Sequence, residues 1–163
     1  MSDSESKAEQ LAALRSDIAI FVASTGAIPS DAFLRVVTEW SPRDVVAHLI
    51  GWNVYTLDGC RDIQEGRNPF YLTDEAEDFK NVNAASTKRY ASQEKSELLD
   101  QLTATADELL RYLDELEPAA WNRDYGVAGL SGRPSLISQH VAALAADYLG
   151  HAQEISSWTG GNH

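Results

Sequence analysis

The sequence predicts an all-α fold, a single-domain four-helix bundle with a short extra helix and long crossing loops. Three observations predict it. Apolar residues recur at three- and four-residue spacing over four long segments, no segment alternates with the period of a strand, and Gly- or Pro-containing stretches separate the four. At 163 residues with 44% apolar content, the chain is long enough to bury a core. With no repeat or linker, it is expected to form one domain over residues 1–163, with 1–7 and 159–163 frayed.

The first helix is expected from about Ser4 to Ala23, where Leu11, Leu14, Ile18, Phe21 and Val22 mark one face before "STGAIPSD" ends it. The second starts at "WSPRD". Ser41 is a good N-cap, Pro42 suits the first helical position, and Asp44 complements the positive helix end. Val45, Leu49 and Trp52 give it an apolar face, and Gly66 offers a stop. "RNPFYLTDEAED" reads as a crossing loop, followed by the short helix from Phe79 to Tyr90. Ser92 is expected to cap a third long helix with a core stripe of Leu98, Leu99, Leu102, Ala106, Leu109, Leu110 and Leu113. The glycine-rich "GVAGLSG" reads as part of a flexible connection, a candidate lid. The last helix is expected from about Pro134 to Trp158.

Charge narrows the partners. The chain carries 25 acidic and 13 basic residues, a net −12, with no cluster of Lys and Arg. Nucleic-acid affinity comes largely from neutralising phosphates, so no nucleic acid is expected as a partner, and no membrane surface either. No apolar run is long enough to cross a bilayer and no basic-then-apolar signal opens the chain. The expected compartment is the cytoplasm, which a lone Cys60, read as a small buried apolar residue, fits. Helical bundles often pair, so a homodimer is a further expectation.

The chemistry lies in histidines inside helices. Along the last helix Ile137, His140, Leu144, Asp147, His151 and Ile155 advance by three or four and share a face. Asp147 and His151 stand one turn apart, about 6 Å in rise, which lets both close on one ion. His140 is too far along the axis to join them. His48, on the Val45–Leu49–Trp52 side of the second helix, is the natural third ligand. Three protein ligands leave an open coordination position. Each residue also has a plainer reading: an inward His is more often a hydrogen-bonded core residue, and Asp147 with His151 makes an ordinary helix pair. The four tryptophans, Trp40, Trp52, Trp121 and Trp158, are expected to pack the core and seal the bundle ends. Trp52 and Tyr55 also have a reading as pocket residues, with Leu144 and with His140 as a proton shuttle.

"WSPRDVVAHLIGWN" and "DYLGHAQEI" resemble the opening of the second helix and the closing metal helix of the DinB/YfiT-like superfamily. The resemblance spans nearly the whole chain and implies a four-helix bundle with one divalent metal, zinc or nickel, held by His48, Asp147 and His151. Where many members carry His-x-x-x-His, this chain has Asp147; the mycothiol-dependent maleylpyruvate isomerase branch is similar in placing a carboxylate there. The resemblance implies a transferase using a low-molecular-weight thiol, mycothiol or bacillithiol, or a hydrolase, acting on a small electrophilic molecule. Catalytic residues are not assigned. Arg133 and Arg123 are candidates for holding such an anionic or sugar-rich cofactor, although surface arginines are the plainer reading. Two alternatives stay open: a small-molecule binding or resistance protein of the ClbS type, and a metal-free dimeric bundle.

Overall fold

A computed structural model describes residues 2–73, 79–130 and 132–160. Its long helices are α1 (Asp3–Gly26), α3 (Pro42–Gln64), α5 (Lys95–Glu115) and α7 (Ile137–Gly160); α2 (Ser30–Phe33), α4 (Lys80–Arg89) and α6 (Pro118–Trp121) are short, and Phe70–Thr73 forms a 3-10 turn. No strand occurs among the described residues. The four long helices are the expected bundle. In cross-section α1 packs on α7 and α5, and α3 packs on α5 and α7, leaving α1 and α3 at opposite corners.

Local chemistry sets the helix starts. Ser41 Oγ accepts from Asp44 N at 3.2 Å, and Asp44 Oδ2 accepts from Ser41 N at 3.0 Å, a reciprocal cap ahead of Pro42. Ser2 and Glu5 cap α1 in the same way, so helix already runs through residues 3–7. The third long helix corrects the expectation: Ser92 is not its cap. Gln93 N donates to Tyr90 O, which carries the preceding turn past Ser92, and Glu94 occupies the cap position without a side-chain bond. Lysines close the carbonyl ends of α1 and α5. Lys95 Nζ donates to Gly26 O and Ile28 O, and Lys7 Nζ to Asp114 O and Leu116 O, so each helix's first turn meets the other's last and the two run antiparallel.

The core joins Leu14, Phe21, Leu49, Leu102, Leu109 and Tyr148 of the four long helices. A buried polar tie crosses it: Tyr148 donates to Asn53 Oδ1 at 2.7 Å, and Asn53 Nδ2 donates to Thr105 Oγ1 at 3.0 Å and Leu102 O at 3.3 Å. Cys60 is buried, and burial pushes its thiol up to about 12, in line with the apolar role expected for it. Trp121 is fully buried, and Trp40, Trp52 and Trp158 are half-buried and pack against the core, Trp40 and Trp52 beside the site described next. The connection after α6 is tied down more than its glycines imply. Val127 is buried, its carbonyl accepts from Ser135 N at 2.7 Å, and Gly129 N donates to Asn68 Oδ1 at 3.0 Å. Residues 74–78 of the crossing loop, Ser131 of "GVAGLSG" and His163 lie outside the described residues. No helix among those described is long and apolar enough to cross a membrane.

Candidate metal centre and the cavity beside it

The centre of the buried face of α7 runs through Ile137, Val141, Leu144, Tyr148, Ala152 and Ile155. His140, Asp147 and His151 lie along its edge, half-buried, instead of in the middle of the stripe. That edge faces α3. His48 Nε2 lies 2.8 Å from Asp147 Oδ2, and His151 Nε2 lies 3.1 Å from Asp147 Oδ1. One nitrogen or oxygen from each of the three residues falls within 4.8 Å of the others, a span one ion with bonds of about 2.0–2.2 Å can close after small rotations. Trp40 covers the pair of imidazoles, its ring 5.0 Å from His48 and 6.1 Å from His151 between centroids.

The tautomer of His48 is set from α4. Trp52 Nε1, which can only donate, gives its hydrogen to Asn83 Oδ1 at 2.7 Å, identifying that atom as the amide oxygen. The same oxygen lies 2.9 Å from His48 Nδ1, which therefore carries the hydrogen and donates it. In the neutral ring Nε2 is left with a lone pair aimed at a carboxylate oxygen. Two acceptors at 2.8 Å repel unless a cation sits with them, either a proton or a metal ion. His151 is similar. Its Nδ1 faces Glu154 Oε1 at 3.5 Å, an ion-pair contact too loose for a hydrogen bond, and has no other partner among the described residues.

Burial opposes ionisation of Asp147, but the hydrogen-bond contacts and positive charge that His151 and His48 can bring to it outweigh burial and hold the carboxyl well below the usual carboxylate range. Burial also works against the charged form of His151, and there the hydrogen bond and charge of Asp147 prevail and raise its pKa. The donor set, two imidazoles and a carboxylate, suits a divalent cation such as zinc or nickel, and the outer partner Asn83 on His48 fits the way such ligands are oriented.

Beside this cluster opens a cavity of about 660 Å³, walled by His48, Trp52, Tyr71, Phe79, His140 and Leu144 among others. Trp52, Leu144 and His140 are among the residues that line it. Tyr55 does not line it: the ring stacks edge-on behind Trp52 at 5.7 Å, near Ser86. Arg133 is exposed and lines an adjoining depression, and Arg123 lies over the Tyr125 ring at 5.6 Å, so neither arginine faces the cavity. Asn83, Tyr71, Phe79 and Ser135 are site residues that the sequence reading missed. They come from the short helix and the connections, where no periodicity marks them.

Residues 7–156 match the model of the mycothiol maleylpyruvate isomerase N-terminal domain. The chain belongs to this family. Its fold is that of the DinB/YfiT-like superfamily, as solved structures bear out. The colibactin self-resistance protein ClbS, solved in complex with a double-stranded DNA, superposes with a TM-score of 0.77 at 15% identity over 94% of each chain. The sibling lethal factor precursor DfsB gives 0.81 at 16% identity over 96% of each chain. An uncharacterised protein from Clostridium difficile 630 gives 0.80 at 16% identity over 96% of this chain and 97% of its own. At these identities the likeness is one of fold. Among curated proteins, none matches the sequence.

The ClbS complex corrects one expectation. A bundle of this fold is solved with double-stranded DNA, so excluding nucleic acid as a partner does not stand. The physical reason is that net charge sums over the whole surface, while a duplex meets one local patch.

Proposed function

We propose that this chain is a metal-dependent enzyme in which His48, Asp147 and His151 hold a divalent cation at one end of an apolar cavity. The cavity takes a small electrophilic molecule, and the reaction is transfer of a low-molecular-weight thiol or hydrolysis. The observation that carries this reading is the His48 Nε2 lone pair, turned on Asp147 by the Asn83 hydrogen bond. A divalent cation supplies Lewis acidity and brings a coordinated thiol or water toward its anion at neutral pH. Asn83 and Trp52 hold the His48 ring in place, Glu154 faces the outer nitrogen of His151, and Trp40 screens the cluster from water. Trp52, Phe79 and Leu144 give the electrophile an apolar wall. The family's mycothiol namesake supports mycothiol as the thiol, with bacillithiol the alternative. The cytoplasm, where such thiols stay reduced, is the proposed setting.

A second reading has its own support. A proton shared between His48 Nε2 and Asp147 relieves that contact as a metal ion would, and the cavity is mostly apolar, as a protein that sequesters a toxic small molecule requires. Elemental analysis separates the two. Protein purified without added metal is expected to carry about one equivalent of zinc or nickel, lost in His48→Ala and in His151→Ala. Metal-free protein that also ignores added zinc overturns the enzyme reading in favour of sequestration. Consumption of mycothiol, bacillithiol or glutathione with a panel of alkylating electrophiles then distinguishes thiol transfer from hydrolysis.

A further inference from the structure

The far end of the cavity holds a second polar group. The Tyr71 hydroxyl lies 3.2 Å from His140 Nδ1, and His140 Nε2 lies 2.9 Å from Ser135 Oγ. All three residues line the same cavity as His48 and Asp147. His140 and Asp147 are seven residues apart on α7, about 10 Å along its axis.

Burial sets the direction of the protons along this line. Tyr71 is 3% exposed, and its hydroxyl has no hydrogen-bond partner but His140 among the described residues. If it failed to donate, a phenol proton would be stranded in the core. Tyr71 therefore donates to Nδ1, and the single proton of the neutral imidazole sits on Nε2, aimed at Ser135 Oγ. Burial favours this neutral ring, lowering the His140 pKa to about 4, and pushes the Tyr71 phenol upward so that it keeps its proton. Ser135 accepts from His140, and its own hydroxyl proton is left over at a half-buried position on the cavity wall. The opposite direction would have Ser135 give its proton to His140, as a nucleophile does to its base, at the cost of the buried phenol.

The fold makes room for this line at some expense to α3. Gly59 lies in the interior of that helix, where Gly is a poor helix former. A Cβ there would fall 2.1 Å from the Tyr71 hydroxyl oxygen. No Lys or Arg is among the described residues that wall the cavity itself; Arg133 lines the adjoining depression, which shares Tyr71, Phe79 and Ser135 with it.

We infer that Ser135, at the end of the Tyr71–His140–Ser135 line, donates a hydrogen bond to an uncharged oxygen acceptor on the ligand. The ligand class is an elongated small molecule. Its carbonyl or similar oxygen meets Ser135, its apolar or aromatic middle lies along Trp52, Phe79 and Leu144, and its reacting group reaches the His48 end. The last point rests on the proposed function; the Ser135 contact does not.

Four para-disubstituted benzenes test this. Each carries a hydroxamate or a primary amide at one end and an acetyl or an isopropyl group at the other. Acetyl and isopropyl are close in shape, and only acetyl accepts a hydrogen bond. Calorimetric titration into the 163-residue chain, with and without zinc, gives the ratio of acetyl to isopropyl affinity in both series. That ratio is expected to fall about fivefold in Ser135→Ala, as for the loss of one neutral hydrogen bond, and less in Tyr71→Phe. A ratio that is the same in the parent and in Ser135→Ala overturns the inference. The zinc-dependent gain of hydroxamate over amide reports the other end separately. Its absence counts against the metal reading and leaves the acetyl comparison intact.

Discussion

His48 Nε2 on α3 and Asp147 Oδ2 on α7 meet at 2.8 Å across 99 residues of sequence. Asn83 holds the other side of the His48 ring, so the contact presents a directed lone pair to a carboxylate. The consequences of that relationship can be measured.

Asp147→Asn keeps the shape and removes the charge. Zinc affinity, measured by competition with a chelating dye, is expected to fall by about tenfold or more, because a divalent ion loses its anionic ligand. Asp147→His is expected to tighten it by supplying a second imidazole on the helix. If Asp147 serves only as a helix-surface partner of His151, both variants will bind zinc as the parent does.

Asn83→Ala removes the acceptor that holds the hydrogen on His48 Nδ1. Zinc affinity is expected to drop by about ten- to a hundredfold, as for loss of other outer-sphere partners of metal-binding histidines. Nitrogen NMR of the metal-free protein should show Nδ1 protonated in the parent and a mixture of tautomers in the variant. An unchanged spectrum would show that Asn83 does not set the tautomer.

His140 gives the fold a pH dependence on the acid side. Its pKa falls from an ordinary 6.5 to about 4 on burial, so the unfolded chain takes up this proton first as pH drops. The associated stability is present above pH 6.5 and is lost as pH falls toward 4, at most about 3 kcal/mol for a shift of that size. The difference in unfolding free energy between the parent and His140→Gln should therefore shift against the parent across that window. A pH-independent difference would rule out a buried neutral His140.

Asn53→Ala strips the partner from the fully buried Tyr148 hydroxyl and opens a small cavity between α3, α5 and α7. Denaturant unfolding should show a loss of about 2–4 kcal/mol. Combining it with Tyr148→Phe should cost less than the sum of the two, since the stranded hydroxyl is gone. Strict additivity would show that the Tyr148–Asn53 bond contributes little.

Much of this was legible along the chain because it depends on spacing within one helix. The Ser41–Pro42–Asp44 start, the leucine stripe of α5 and the one-turn step from Asp147 to His151 each follow from helical geometry. Ser92 misled for a related reason. A good capping residue marks where a helix can begin, but the turn from Tyr90 to Gln93 continues past it.

By itself, the sequence determined four amphipathic helices, their approximate ends, and two ligand candidates on one face of the last. Only the tertiary structure decided that His48 reaches that pair, that Asn83 and Trp52 orient it, and that Tyr71, His140 and Ser135 line up at the other end of one cavity. The physical reason lies in range. A helical period constrains neighbours three and four residues apart, whereas a hydrogen bond between helices depends on how whole faces dock, and no local pattern records that.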